Sequence, residues 1–299
     1  MKKTYSIRSF FLLLSLALMA GYGCSTTKSL VQKIRPEKPV LKKRIMILPL
    51  IDLDGPGSER AAQANKGFVA LLRKSPSLLL FEPPEGGAFS SAESYKFGIF
   101  TPANLVKKAY DASMNTLITG ILEPIQTSTE KTGIWPFRKS CNIHEISIII
   151  NVVDTRSKAL ALSRLESEMI SVPLDETPGE NKGKTMDQLL EEAIDRIVKR
   201  LASAVISSLE QQPWTGRVLS VEDSALKINA GDDVGLKPGQ RFMVYAGGES
   251  ITTQNGRSFE LLGKKIGKIE VTSIMEKHSL AVPAGKGPFL AGQTIRFIP

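Results

Sequence analysis

The hydrophobic positions of this chain change rhythm several times. Residues 10–24, FFLLLSLALMAGYGC, form one apolar run behind a basic start of Lys2, Lys3 and Arg8. The run is too short, and too closely followed by small residues, for a stable spanning helix, and it reads as the core of a signal peptide over residues 1–23. Residues 24–43 keep no hydrophobic period and carry Pro36, Pro39 and scattered lysines up to Lys42 and Lys43, which reads as a tether. The continuous apolar run RIMILPLI at 44–51 then predicts a strand covered on both faces. Ser58 is placed to cap a helix with Ala61, Ala64, Phe68, Leu71 and Leu72 on one face, closed by Pro76. A short strand at 78–81, a Gly/Ser/Pro-rich loop at 83–98 and a helix opened by Thr101-Pro102 follow. That helix turns Leu105, Val106, Ala109 and Tyr110 inward, and 115–122 returns as a buried strand.

Beyond residue 140 the apolar runs lengthen. Residues 146–153 and 159–170 read as two long strands of an antiparallel hairpin turning at 154–158. Arg164, Glu166 and Glu168 alternate along its second arm, which predicts a face open to water. Thr185 and Gln188 form a capping-box signature ahead of a helix over 186–210, with Leu190, Ile194, Ile197, Leu201, Val205 and Leu209 on one side. From Trp214 the rhythm shifts to short strands with glycine turns: 218–221, 225–229, 241–246, 266–272, 280–282 and 294–298. Closure into a small barrel is the usual way such strands avoid open edges. The fold class is therefore α+β. A mixed-sheet α/β domain with a long antiparallel hairpin and covering helices (44–212) is followed by a small antiparallel β barrel (213–299).

Composition changes this picture little. The 42% of hydrophobic residues can build real cores, and the formal charge of +9 falls to +6 once residues 1–23 leave. Basic residues interleave with no aromatic stripe, so nucleic acid is not an expected partner. Cysteines matter more, since there are two, Cys24 and Cys141. If Cys24 is modified, no intramolecular disulfide can form, and Cys141 is expected as a buried or half-buried residue at a strand edge.

The small residues Ala20, Gly21 and Gly23 directly before Cys24 resemble a bacterial lipoprotein lipobox, with Gly21 where that pattern prefers Leu. The resemblance implies cleavage before Cys24, a lipid on its sulfur, a membrane contact through that anchor and, with Ser25 next, outer-membrane sorting on the periplasmic face. The segments Ile47-Leu48-Pro49-Leu50, Leu117-Ile118-Thr119-Gly120-Ile121 and Val152-Val153-Asp154-Thr155-Arg156 are similar to the α/β domain shared by the curli-secretion lipoprotein family and the N-terminal domain of TolB. The middle of flagellar assembly protein T resembles it too. Lys227–Gly231, Gly235–Gly239, Phe242–Tyr245 and Ile266–Ile269 resemble the β domain that ends flagellar assembly protein T. The resemblance implies a non-catalytic periplasmic assembly factor of a flagellar or secretion machine, in families where ring-forming homo-oligomers occur. It departs from the curli pore proteins in lacking a pair of cleanly alternating membrane-spanning hairpins.

Candidate chemistry is sparse. His144 and His278 have no carboxylate at metal-ligand spacing, so no metal site is expected. Neither a nucleophile elbow, nor a P-loop lysine motif, nor a dinucleotide fingerprint occurs, so the expectation is no enzyme and no cofactor. Two places carry a sharper reading. Asp52, Asp54 and Ser58 lie at the carboxyl end of the first strand, where open α/β sheets bind ligands; they are either a calcium or small-ligand edge or a solvated turn with a helix cap. Trp135, Phe137 and Arg138, in Gly133-Ile134-Trp135-Pro136-Phe137-Arg138, are either anchors of an interface or aromatics folded back on their own domain. The reading reached is a lipid-anchored periplasmic scaffold that binds envelope proteins. The alternative is a lipoprotein that grips peptidoglycan or activates its synthase.

Overall fold

The computed structural model describes residues 40–55, 58–83, 102–174, 184–222, 225–254 and 258–298. It is a mixed α/β fold: a mixed seven-stranded sheet, three helices among the described residues, and a closed six-stranded antiparallel barrel. Strand β1 (Lys43–Ile47) lies between β3 (Leu78–Phe81) and β4 (Thr116–Leu122), parallel to both. Proline 49 cannot donate to a ladder, so the expected 44–51 strand breaks there and resumes as β2 (Ile51–Asp52), again parallel to β4. Leu48 keeps the thread through the break, its amide donating to the Ile118 carbonyl at 3.0 Å.

Helices cover both faces. Helix α1 (Glu59–Leu72) starts where Ser58 Oγ accepts the Ala61 amide, and buries Ala61, Ala64, Phe68, Val69 and Leu72. Helix α3 (Met186–Gln211) opens on the full reciprocal capping box of Thr185 and Gln188. At 26 residues it is about 39 Å long, and with α1 it seals Ile45, Ile118, Ile146, Ile148, Ile150 and Val152 into one core. Helix α2 (Ala103–Asp111) covers the opposite face through Leu105, Val106 and Ala109 against Met46, Leu48, Leu117 and Val153. Its N-cap position is Pro102, and Thr101 lies outside the described residues.

The hairpin is longer than its apolar residues imply. Strand β6 (Lys139–Asp154) runs 16 residues, about 50 Å, with β7 (Leu160–Pro173) along one side. On its other side, β6 pairs β4 over its inner half and β5 (Gln126–Thr132) over its outer half. The charged row of β7 does not simply face water, as the alternation suggested. Glu166 and Glu168 point to α3, where Arg200 binds both at 2.7 and 2.5 Å and Arg196 reaches Glu168 at 3.3 Å. Leu165 and Met169, on the other face of β7, are the exposed ones.

Strands β8 (Thr215–Glu222), β9 (Ala225–Ile228), β10 (Arg241–Thr252), β11 (Ser258–Ile274), β12 (Ser279–Pro283) and β13 (Thr294–Ile298) close in the order β10-β11-β12-β9-β8-β13. Closure pairs every strand on both sides within the ring, while the outer arm of β10 and β11 extends beyond it. The barrel core packs Trp214 against Phe242 and Phe242 against Phe297, tilted at 55° and 58° with 5.6 and 5.7 Å between centroids, with Val218, Leu226, Ile228, Val244 and Ile295 around them. Gly231 is required at the turn after β9: a side chain there would run into the Met275 and Glu276 carbonyls.

Sheet and barrel belong to one compact unit, Leu41–Ile298. The folded body begins before the end of the expected tether: Leu41 packs in the barrel core, and the Lys42 amide donates to Val234 O at 2.9 Å. Its carbonyl accepts from Trp214 Nε1 at 3.0 Å. Arg44 leaves β1 for the barrel and makes a two-pronged pair with Asp233, 2.8 Å at each prong. The same guanidinium donates to the carbonyls of Asn229 at 2.6 Å and Lys277 at 3.0 Å. Lys43 turns the other way, its ammonium donating to Leu209 O and, at 2.6 Å, to Gln212 O at the end of α3. Further along the joint, Asn115 donates to Thr215 O at 2.5 Å and Lys158 pairs with Glu260 at 2.7 Å.

Candidate functional site

β5 and the outer half of β6 form a second hairpin, and its β5 arm is built from residues that bury nothing. Every residue of β5, QTSTEKT, is exposed, yet it pairs in unbroken register from Gln126 opposite Glu145 to Thr132 opposite Lys139. Its threonines favour extended backbone, and two of them bond across the ladder, Thr127 to His144 Nδ1 and Thr129 to Asn142 Oδ1, both at 2.9 Å. Cys141 is the buried exception on β6, its sulfur 3.1 Å from Thr132 Oγ1. This places the cysteine inside the sheet, between β5 and β7, rather than at its edge.

The connection between β5 and β6 is the most apolar exposed point among the described residues. Gly133, at φ 105°, takes a conformation that L side chains rarely adopt. The chain then turns tightly, Phe137 N donating to Ile134 O at 2.8 Å across a cis Trp135–Pro136 peptide. Ile134, Trp135 and Phe137 are 84, 79 and 84% exposed. The aromatics therefore do not fold back onto the domain. Lys131, Arg138 and Lys139 stand exposed just behind them, with Glu130 the one acidic residue nearby among the described residues. Residues 134, 135 and 137 can enter an apolar medium while the cations meet negative charge.

The acidic candidate takes a different form. Asp52 is buried, and both its oxygens are engaged: one accepts the Asp54 amide at 2.9 Å, the other the Ser58 hydroxyl, with Arg60 at 3.8 Å. Asp54 is half exposed and pairs with Arg60 at 3.1 Å. The carboxylates thus share Arg60 and organise the turn that feeds the cap of α1. No cluster of three or more metal-ligating side chains occurs among the described residues. Cys24, the expected lipidation site, lies outside them.

Two electrostatic sites hold the body rather than a ligand. Burial lowers the Lys43 pKa to about 8 against the opposing pull of Asp154 and Glu210. On the surface, hydrogen bonds from Arg164 and Arg200 hold the Glu166 carboxyl below its usual range, and Arg200 does the same for Glu168. A cleft of about 20 Å³, lined by Tyr110, Asn115, Thr155, Arg156 and Arg217, opens at the joint of sheet and barrel. It has room for about one water. Arg217 lies 4.4 Å over the Tyr110 ring there.

Sequence reasoning located the segment from Gly133 to Arg138, with Trp135, Phe137 and Arg138, but missed the strand β5 that leads into it, and with it Lys131 and Lys139 as parts of one tip. A polar strand has no hydrophobic period to read. The threonine spacing of QTSTEKT was the available signal.

No family model matches this chain, and no curated protein does. Among solved structures, it is similar to a hypothetical protein of Chlamydia trachomatis at 15% identity and a TM-score of 0.37, covering 56% of this chain and 99% of that one. A dodecameric PelC of Paraburkholderia phytofirmans aligns at 11% identity and a TM-score of 0.31, covering 59% and 95%. A lipoprotein of Neisseria meningitidis aligns at 15% identity and 0.29, covering 57% and 99%.

Proposed function

We propose that this chain is a lipid-anchored protein of the bacterial cell envelope that works by holding its surroundings rather than by transforming a substrate. The observation that carries this is the hairpin tip: two aromatics and an isoleucine in water at the end of a polar ladder, on a body whose sheet and barrel are tied by buried polar bonds. Exposed aromatics cost solubility, and natural surfaces hold such groups where a contact covers them. The apolar run and small residues ahead of Cys24 support the anchor, and Ser25 supports the periplasmic face of the outer membrane. Flagellar and secretion machinery are the first assemblies to test.

The test is proximity capture in intact cells. A photoreactive residue in place of Trp135 should form adducts on illumination, and one in place of exposed Glu222 on the barrel should give a different set. Mass spectrometry of the recovered protein should find acyl groups on Cys24 and residues 1–23 gone. A bare thiol, or position 135 free of adducts, would overturn the proposal.

A further inference from the structure

Taking the holding role as its basis, we infer that the 133–138 tip enters the headgroup–acyl boundary of an anionic lipid bilayer. Three layers follow one another along the hairpin. The apex is apolar, at Ile134, Trp135, Pro136 and Phe137. Next come Lys131, Arg138 and Lys139, three cations against Glu130, the single acidic residue there among the described residues. The rest of β5, Gln126 to Thr129, is uncharged and polar. Acyl chains, phosphates and water succeed one another in the same order.

The spacing agrees. Lys131 lies three residues from Ile134 and Lys139 two from Phe137, about 7–10 Å at strand rise, with Arg138 directly beside Phe137. With the cations at the phosphates, the apex lies at the depth, about 5–10 Å, that interfacial anchors reach. Tryptophan and the long cations are the residues enriched in that layer. The hydrogen bonds of β5 are made to β6, and only one short turn of backbone would have to leave water.

Shape and charge favour a bilayer as the occupant. The apolar side chains Ile134, Trp135 and Phe137 stand 84, 79 and 84% exposed on a tip one turn wide, backed by the basic residues Lys131, Arg138 and Lys139. A bilayer closes round so narrow a tip, and its anionic headgroups complement the cations behind it.

The chain's two tryptophans make the experiment direct. Trp214 is enclosed in the barrel core, while Trp135 stands in water. The full chain is reconstituted on phosphatidylcholine vesicles, with and without phosphatidylglycerol, using lipids brominated along the acyl chains. With phosphatidylglycerol present, Trp135 emission should shift to the blue and be quenched by bromine. Trp135→Phe should remove that quenched component and leave the Trp214 emission unchanged, which also shows the fold intact. The triple change Lys131→Gln, Arg138→Gln and Lys139→Gln should lower the inserted-to-free ratio on the order of a hundredfold on anionic vesicles and far less on neutral ones. Trp135 that stays open to aqueous iodide and untouched by bromolipid overturns the inference. In cells, lipid adducts at position 135 support it. Protein adducts there overturn it while leaving the holding role standing, and a lack of any adduct removes both.

Discussion

Arg44 is the residue on which sheet and barrel depend most. Its guanidinium spends its donors on Asp233, Asn229 and Lys277, and both charges of the pair are largely out of water. Truncating one partner of such a pair leaves the other buried and uncompensated, which costs about 3–5 kcal/mol. Arg44→Ala should therefore lower stability by about that amount in urea unfolding, and Arg44→Met with Asp233→Leu should recover much of the loss. A loss no larger than that of an exposed ion pair would show that water reaches the site.

Lys43, one residue earlier, gives a pH signature. At pH 7 it is protonated in both the folded and unfolded chain and contributes no pH dependence. Above about 8 the folded protein releases the proton, while the unfolded chain holds it up to the ordinary lysine value of 10.5. The unfolded state binds more protons in that window, so stability should rise with pH across it. The comparison is with Lys43→Met, which takes the ammonium from the Gln212 carbonyl and leaves the Leu209 carbonyl only the Gln212 amide. The stability difference, native chain minus variant, should widen between about pH 8 and 10.5, read from urea midpoints.

At the scale of elements, the paired positions of β7 matter most. Glu166 and Glu168 lie between β7 and the Arg196 and Arg200 side chains of α3. The arginines are partly in water, so screening keeps the value of the set small. Arg200→Ala should cost less than about 1 kcal/mol, and less still in high salt. Both carboxyls are held below their ordinary pKa. Their contribution is thus complete above the unfolded carboxyl range and disappears as pH falls through the lower folded values. Urea titrations at falling pH, with and without the arginine, measure it. The same strand shows what sequence can and cannot disclose. Its alternation and partner were legible, and so were the caps of α1 and α3, because each rests on local chemistry. Which face met α3 was not, since arginines four apart at the rim of an apolar stripe can swing a charged row inward. The polar strand β5 was invisible because it is held by a ladder and not by burial. Arg44 was hidden for a third reason: its partner Asp233 is 189 positions away, and no local pattern reports a contact at that distance.

For the whole molecule, the question is whether sheet and barrel unfold as one. Each has its own apolar core, and chains above about 150 residues often unfold in stages. The joint argues for coupling. Leu41 is packed in the barrel core two residues before β1 begins, so the barrel cannot melt without freeing the start of β1. Trp214 holds the Lys42 carbonyl from within the same core, Arg44 binds Asp233, and Asn115 at the start of β4 donates to Thr215 in β8. These bonds fall on consecutive residues of one strand entry and on its neighbour, so their loss is concerted. Calorimetry of the native chain should show a single transition whose calorimetric and van't Hoff enthalpies agree. Arg44→Ala, by weakening the joint while leaving both cores intact, should separate that transition into two. Two transitions already present in the native chain would mean that the cores set stability alone and the joint only orients the parts.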